Sequence, residues 1–195
     1  MSENQEDTRR LILRVADALF ARHGYAAVSM NGLVDEISRT RKITKGTLYY
    51  YFEDKEALFA AVLLEQIGNY GRLIEQAVLT QGNLRARIIA LAGAMQHVHP
   101  QEFARVRADV DAYLGPEARR RLHQASEQHL LGPLVEVFAR AARDGDLRPG
   151  VAPHVAAMAL IGLSGSLSAG PLHAAPLDDA VRTAADLLLN GVAAR

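Results

Sequence analysis

Cysteine is absent from this chain of 195 residues, and its absence removes several kinds of site. Without a thiol there is no disulfide, no thiolate ligand for a metal and no cysteine nucleophile. Cysteine usage therefore does not indicate whether the protein works in an oxidising or a reducing compartment. A net charge is lacking too, because 22 lysines and arginines balance 22 aspartates and glutamates. Bulk charge therefore gives no sign of nucleic acid, and the length suffices for one large domain or two small ones.

A long hydrophobic run is also missing. Residues 155–177 contain no Asp, Glu, Lys or Arg, but Pro171 and Pro176 interrupt this stretch, and glycines and serines dilute it. A membrane-spanning helix needs about 20 predominantly apolar residues in a row. The first ten residues are polar and charged, unlike the apolar core of a secretory signal. We therefore expect a soluble, cytoplasmic protein.

The positive charge is concentrated near the N-terminus. Residues 8–50 contain eight arginines and lysines against three aspartates and glutamates, a net charge of +5. A local excess of this kind attracts the phosphates of a nucleic acid even when the whole chain is neutral.

Apolar residues recur with the period of a helix along most of the chain, without strand-like alternation, which predicts an all-α fold. Gly24 should end the first helix, since glycine suits the position just past a helix end. Gly132-Pro133 should break or kink a later helix, because proline removes a backbone donor. The last two helices are expected near residues 153–168 and 177–193. The residues expected to cap the first four helices are Asp7 or Thr8, Ser29, Thr44 and Asp54.

The N-terminal helices meet the requirements of a helix-turn-helix, in which one helix enters the major groove of DNA. Thr44, Lys45, Gly46 and Thr47 form the predicted first turn of this third helix, where backbone amides, the helix dipole and a lysine favour a phosphate. Gly46 has no side chain and would let DNA approach the backbone closely.

Other side chains complete the predicted interface. Thr47 and Tyr50 can touch bases, while the Tyr49 hydroxyl can reach a phosphate. Ser29 and Lys55, at the starts of the second and fourth helices, are expected to clamp phosphates on either side.

Plainer interpretations of the same residues stay open. Ser29 and Thr44 could be helix caps alone. The tyrosines at 49–51 could form the edge of a core, with Tyr51 the one expected to pack against the domain. The basic run at 39–42 could be a solvated turn.

Taken together, the motifs resemble the TetR family of regulators. The residues that carry the resemblance are ITKGTLYYYF at 43–52 and DKEAL at 54–58, with LF at 19–20, HGY at 23–25 and SM at 29–30. A weaker similarity is DGDLR at 144–148. The resemblance implies a homodimer whose third helices enter successive major grooves, and a C-terminal domain that binds a small molecule and thereby releases DNA. The DNA contacts that it implies are Ser29, Thr44, Lys45, Gly46, Thr47, Tyr49, Tyr50 and Lys55.

The sequence departs from the family's pattern before the third helix. The stretch from Leu33 to Ile43 is four residues longer than usual, and Arg41-Lys42 stands where a small residue and a glycine are common. Four residues turn a helix by about 400° and lengthen it by about 6 Å, so one extra turn nearly preserves the buried face. Leu33 and Ile37 fit that interpretation. The extension could shift the recognition helix, or it could add phosphate contacts from Arg39, Arg41 and Lys42.

The rest of the chain is expected to form a helical bundle for effector binding and dimerisation. We place the helix-turn-helix DNA-binding domain at residues 1–54 and the bundle at 55–195. The uncharged helix near 155–168 and the final helix suggest a four-helix dimer seam, with an ordinary monomer core as the alternative. Candidate contacts of an organic effector, each of which could instead be plain core, are Met95, His99, Phe103, Tyr113, Leu134 and Phe138.

These observations favour a repressor that an effector releases from a palindromic operator in double-stranded DNA. Neither His97 and His99 nor His123 and His129 have the spacing of paired ligands on a helix, so we expect no metal and no cofactor. A phosphate-binding glycine loop, a nucleophile elbow and a paired-carboxylate motif are all missing, which argues against an enzyme. A DNA-binding protein without an effector and, less favoured, a helical-bundle enzyme stay open.

Overall fold

The computed structural model describes residues 3–80, 82–95, 100–169 and 177–192. Its elements are helical, which confirms the all-α prediction. A π-helical turn, Glu127–Leu131, lies between the seventh and eighth α-helices. The α-helices are α1 (Glu3–Ala27), α2 (Met30–Ser38), α3 (Lys45–Tyr51), α4 (Lys55–Val78), α5 (Leu84–Met95), α6 (Pro100–Tyr113), α7 (Pro116–Ser126), α8 (Gly132–Asp144), α9 (Pro153–Ala169) and α10 (Leu177–Val192).

The chain folds into two compact units. The first comprises Met1–Gln66 and Ala104–His123, and the second comprises Ile67–Phe103 and Gln124–Arg195. α4, α6 and α7 each contribute residues to both units. The boundary expected after residue 54 separates a DNA-binding part from an effector-binding part, and it is not a boundary between the two packed units. It stays a prediction.

The core of the first unit is built from apolar residues at helical spacing. α1 contacts α2, and α2 contacts α3. Burying one such side chain contributes about 1.5–3 kcal/mol, so these faces hold the three helices together. The buried residues include Ile12, Ala16, Phe20, Leu33, Ile37, Leu48, Leu58 and Phe59.

α1 begins before the expected position. We predicted a cap at Asp7 or Thr8, but the helix starts at Glu3, and Thr8 lies inside it. The prediction was wrong because the Thr8 hydroxyl donates to the carbonyl of Asn4, 2.8 Å away, a bond that a threonine can make within a helix. Gly24 breaks the helical geometry as predicted, with φ 76° and ψ 167°, although helical assignment continues to Ala27. A side chain would be strained at that positive φ.

The other three predicted caps are confirmed. The Ser29 side chain accepts from the N–H of Gly32 at 3.1 Å, and Asp54 Oδ1 accepts from the N–H of Ala57 at 2.7 Å. Thr44 caps α3 in the same way. These bonds fix where α2, α3 and α4 begin, and hence where α3 lies in the first unit.

The second unit has a hydrophobic core to which α4, α5, α8, α9 and α10 all contribute buried residues. The break predicted at Gly132-Pro133 takes the form of the π-helical turn, in which the N–H of Gly132 donates to the carbonyl of Glu127, five residues back. The wider turn accommodates a proline that has no N–H of its own. In the ranges that the structure covers, no helix combines the length and the hydropathy needed to cross a membrane. The core includes Ile88, Leu91, Leu134, Phe138, Ala157 and Leu160.

Candidate nucleic-acid interface

The first turn of α3 is fixed by a reciprocal pair of hydrogen bonds. Thr44 Oγ1 accepts from the N–H of Thr47 at 3.1 Å, and Thr47 Oγ1 accepts from the N–H of Thr44 at 3.4 Å. The two hydroxyl oxygens are 3.0 Å apart. This capping box makes the start of a seven-residue helix well defined, even though so short a helix would not form alone in water.

Most of α3 is exposed. Leu48 is fully buried and anchors the helix to the core, while Lys45, Gly46, Tyr49 and Tyr50 are exposed, Tyr50 at 71% of its surface. A recognition helix needs one anchored face and one free face, and α3 has both.

Tyr51 is the least exposed of the three consecutive tyrosines, as expected. Its ring meets the Tyr50 ring edge to face at 5.1 Å. The partly buried ring of Tyr51 therefore packs against the exposed ring of Tyr50 and supports it.

Two contacts of α3 bear on its chemistry. The Lys45 ammonium lies 5.8 Å from the centre of the Tyr49 ring, so a positive charge and a phenol are held together on the exposed surface. A Cβ added at Gly46 would meet only Thr44 Oγ1, at 3.6 Å, which is an ordinary contact. The fold of the chain therefore gives no reason for a glycine at this position.

The longer connection before α3 is partly tied to its neighbours. Arg41 donates to the side-chain oxygen of Asn4, and Arg39 pairs with Glu36 at 2.7 Å on the surface. Lys42 is exposed. Arg41 and Lys42 remain predicted DNA contacts, and Arg41 has to leave or share its bond to Asn4 to make one.

The longer stretch before α3 does not form the extra helical turn that the sequence indicated, because α2 ends at Ser38 and residues 39–42 lie in the non-helical connection to α3. Leu33 and Ile37, one turn apart, are both fully buried. The N–H groups of Thr40 and Arg41 donate to the carbonyl of Ile37 at 3.0 and 2.9 Å, which closes the end of the helix. The buried face of α2 therefore ends at Ile37, and the longer segment lengthens the connection to α3.

Ser29 and Lys55 both make contacts within the protein. The Ser29 hydroxyl caps α2 while remaining exposed. The Lys55 ammonium donates to the carbonyls of Tyr25 and Val28, at 3.0 and 2.9 Å, and lies 4.0 Å from the centre of the Tyr25 ring. The phosphate contacts of Ser29 and Lys55 stay predictions. The observed bonds of Lys55 are to backbone carbonyls of the protein itself.

Sequence reasoning missed the residues that join α6 to this part of the molecule. Asp109 Oδ2 accepts from the N–H of Tyr25 at 2.9 Å, and Arg105 donates to the carbonyl of Ala21. Both bonds join residues 84 positions apart in the chain. No local pattern could have indicated them, because Arg105 and Asp109 read as ordinary charges on an amphipathic helix.

Tyr25 lies at the centre of an aromatic cluster. Its ring is 6.0 Å from Phe20, 5.0 Å from Phe59 and 4.6 Å from Tyr113. Burial raises the pKa of the Tyr25 hydroxyl, and the negative charges of Glu56 and Asp54 raise it further. The cluster therefore holds Tyr25 neutral.

The predicted effector contacts are only partly brought together. Leu134 and Phe138 are fully buried in the core of the second unit, and Met95 packs against that core. Tyr113 belongs instead to the first unit, where it stacks on Tyr25. His99 lies outside the described residues, as does the side chain of Phe103. Effector binding by all six residues stays a prediction.

Clusters that could hold a metal were searched for within the described segments. No three His, Asp or Glu side chains come together there in a way that would bind an ion. His97 and His99 fall outside those segments.

Comparison with known proteins gives a consistent result. Residues 12–62 match the family described as bacterial regulatory proteins, tetR family. The repressor NemR of Escherichia coli is 32% identical over 87 residues, which are 44% of this chain and 42% of NemR. The repressor KstR of Mycolicibacterium smegmatis is 27% identical over 146 residues, 74% of this chain and 68% of KstR. The match to NemR thus spans less than half of that protein's length.

A solved structure extends the similarity over almost the whole chain. A TetR/AcrR-family transcriptional regulator from Thermobifida fusca is 26% identical and superposes with a TM-score of 0.70, covering 95% of this chain and 98% of that one. The predicted fold, an N-terminal helix-turn-helix followed by a helical domain, is confirmed.

Proposed function

We propose that the chain, whose residues 12–62 match the tetR family of bacterial regulatory proteins, is a member of that family and a sequence-specific DNA-binding regulator that represses transcription until a small molecule releases it. The family is one of regulators rather than enzymes. A protein that binds an operator works where the chromosome is, so we place it in the cytoplasm.

The observation that carries the proposal is the surface of α3. A capped helix with Leu48 buried presents Lys45, Gly46, Tyr49 and Tyr50 outward. Lys45 and Tyr49 suit phosphates, and Tyr50 suits a base edge.

The role of Thr47 is inferred from the capping box. Its hydroxyl is bonded to Thr44, so the group that it offers to DNA is chiefly its methyl. A threonine methyl can contact the methyl group of a thymine. Thr47 is therefore proposed to read a base by apolar contact.

A homodimer is supported by apolar side chains on α9 and α10. Ala156 and Leu160 of α9 and Leu188 of α10 are buried in the core. Other apolar side chains on the same helices are exposed, among them Met158 at 53% and Leu187 at 62%. We propose that a second copy covers them, and that the two α3 helices then enter successive major grooves of a palindromic operator.

Effector control is supported by the relatives and by α6. NemR and KstR are both named as repressors. α6 contributes residues to both units, and Arg105 and Asp109 bond it to α1. We propose that an organic effector contacts the core around Met95, Leu134 and Phe138, with His99, Phe103 and Tyr113 as further candidates.

An effector-free DNA-binding protein is the alternative. It would use the second unit only for dimerisation, so that unit would be packed solid. Uptake of a small hydrophobic molecule into an apolar cavity of the second unit, with loss of DNA binding, would favour the effector-controlled regulator over the effector-free protein.

Replacing Lys45 tests the DNA-binding proposal directly. We expect Lys45→Ala to weaken binding to every duplex and to lower the slope of log affinity against log salt by about 1, because one phosphate contact is lost. Arg148→Ala removes one exposed positive charge from the second unit and should leave the slope unchanged. Unchanged affinity of Lys45→Ala for all duplexes at moderate salt would refute the proposal that α3 binds DNA with Lys45 on a phosphate.

A further inference from the structure

The chain contains three lysines, Lys42, Lys45 and Lys55, and the third differs from the other two. Lys42 and Lys45 are exposed, whereas Lys55 is partly buried. We propose that Lys55 is a positioning residue for DNA binding and that it does not bind a phosphate. It fixes the backbone of residues 24–29, the corner at which α1 ends and α2 begins. This inference rests on the proposed DNA-binding function.

The donors of Lys55 are already in use. A lysine ammonium has three N–H groups. Two of them point at the carbonyls of Tyr25 and Val28, at 3.0 and 2.9 Å. The charge also lies over the Tyr25 ring, 4.0 Å from its centre, where the negative face of the π-system attracts a cation.

The chain arrives at this corner from a broken helix. Gly24 leaves helical geometry, and its positive φ turns the backbone just before Tyr25. Carbonyls at a helix C-terminus lack intrahelical partners and carry partial negative charge, so a cation there is favourable. Lys55, at the first position of α4, supplies it from the neighbouring helix.

The corner itself cannot easily adjust to a departing Lys55. The Tyr25 ring is held between Phe59 and Tyr113, and its N–H donates to Asp109 at 2.9 Å. An ammonium that turned to a phosphate would leave the Val28 carbonyl without this donor, the Tyr25 carbonyl with only the Val28 N–H at 3.3 Å, and an aromatic ring without its cation. Buried or partly buried carbonyls left unpaired are unfavourable.

The corner matters for DNA binding because it leads directly into α2. Val28, whose carbonyl Lys55 binds, immediately precedes Ser29, the cap of α2. α2 in turn contacts α3. Lys55 thus acts on the predicted DNA contacts through the backbone, by setting where α2 begins.

Chemical modification of the wild-type protein gives the first test, because lysine amines are so few. We expect reductive methylation, read by mass spectrometry, to modify Lys42 and Lys45 quickly and Lys55 much more slowly. Adding a duplex selected from a random pool for binding to the protein should protect Lys45 and leave the rate at Lys55 unchanged. Methylation of Lys55 as fast as that of Lys42, or further protection of Lys55 by DNA, would overturn the proposal.

Two variants give the second test. Lys55→Met keeps an unbranched stem over the Tyr25 ring but removes the donors, and Lys55→Arg restores them. We expect Lys55→Met to lose about tenfold or more in DNA affinity, the scale of a lost charged hydrogen bond, with an unchanged salt slope, and Lys55→Arg to recover most of it. Lys45→Met, the matched control, should lower the slope by about 1.

The outcomes separate three roles. A slope lowered by about 1 in Lys55→Met would make Lys55 a phosphate ligand. A lower melting temperature with unchanged DNA affinity would make it a purely structural residue. Either result overturns the proposal. Should Lys55→Met fail to fold, the methylation rates decide; should no duplex bind at all, the proposed function fails while the rates in free protein still show whether Lys55 holds the corner.

Discussion

Gly46 is the residue whose identity the chain's own fold explains least. It lies in the second position of α3 at an ordinary helical geometry, and space for a Cβ is present. Gly24 is different, because its φ of 76° requires a glycine. A glycine that the fold does not require points to a surface that comes close from outside.

Gly46→Ala separates these two reasons. We expect the substitution to leave thermal stability unchanged or slightly raised, since alanine is favoured over glycine inside a helix by about 0.5–1 kcal/mol. DNA affinity should fall, because the added methyl would hold the backbone away from the groove. Gly93→Ala in α5, where a Cβ meets nothing within 4 Å, is the control and should leave DNA binding intact. Full DNA affinity in Gly46→Ala would show that nothing approaches there.

Tyr25 gives a pH-dependent prediction. Burial, then Glu56 and Asp54, raise the pKa of its hydroxyl above the usual value of about 10. The neutral form is thus favoured by folding. Its contribution to stability is fully present below pH 10 or so and is lost as the pH rises through the higher pKa of the folded state.

The measurement is the tyrosinate absorbance of wild type and of Tyr25→Phe. Among the six tyrosines, we expect Tyr25 to ionise late, so the difference between the two titrations should appear at the alkaline end. A difference that appears at or below the ordinary tyrosine range would contradict the buried environment described for Tyr25.

What could be predicted from sequence at this scale was local. Ser29, Thr44 and Asp54 cap helices within three residues of themselves, so their positions in the sequence were sufficient. The partners of Lys55 are 27 and 30 residues away, and nothing in the local pattern distinguished a corner lysine from a phosphate ligand.

At the scale of elements, the π-helical turn Glu127–Leu131 shows how the chain accommodates Pro133. The sequence predicted an interruption, and the interruption is a single wide turn that keeps the helices on both sides. His129, within this turn, lies against α4 at Gly71, where a Cβ would come within 2.9 Å of His129 Cβ and 3.2 Å of its carbonyl oxygen. The absence of a side chain at Gly71 therefore permits close packing of the two elements.

Gly71→Ala tests this packing. Because the backbone of His129 cannot move aside cheaply, we expect a loss of about 1–3 kcal/mol in the free energy of unfolding, the range for overpacking. Chemical denaturation measures it. Gly93→Ala, in an open helical position, should not destabilise. Equal stability of the two variants would mean that α4 and the wide turn are not in contact as described.

The helix boundaries show the same division between local and distant causes. Glycine and proline punctuation placed the breaks at Gly24 and at Gly132-Pro133, since the φ of Gly24 is positive and Pro133 lacks a donor. The start of α1 was misplaced by five or six residues because a threonine inside a helix and a threonine cap look alike in sequence.

For the whole molecule, exposed apolar side chains on α9 and α10 bear on the proposed dimer. The sequence predicted that the uncharged segment 155–168 would be buried, yet Val155 and Met158 are each 53% exposed in the single chain. The two statements agree if a second copy covers α9 and α10. The amino-acid pattern could not tell burial in one chain from burial between two.

Leu187→Arg tests that arrangement. Leu187 is 62% exposed on α10, and a buried unpaired charge there would oppose association. We expect sedimentation to show a monomer and affinity for a palindromic duplex to collapse. Leu79→Arg, at a leucine 79% exposed just after α4, is the matched control and should remain dimeric. A dimer that persists in Leu187→Arg would place the interface elsewhere.

Selection of bound duplexes from a random pool tests the central claim, that two copies of α3 read one DNA molecule. We expect enrichment of inverted repeats whose halves are separated by about one helical turn, roughly 10 base pairs, or a multiple of it. We also expect Thr47→Ser, which keeps the capping hydroxyl and loses the methyl, to change the preferred bases within each half. Failure to enrich any sequence, or enrichment of single half-sites without symmetry, would contradict that claim.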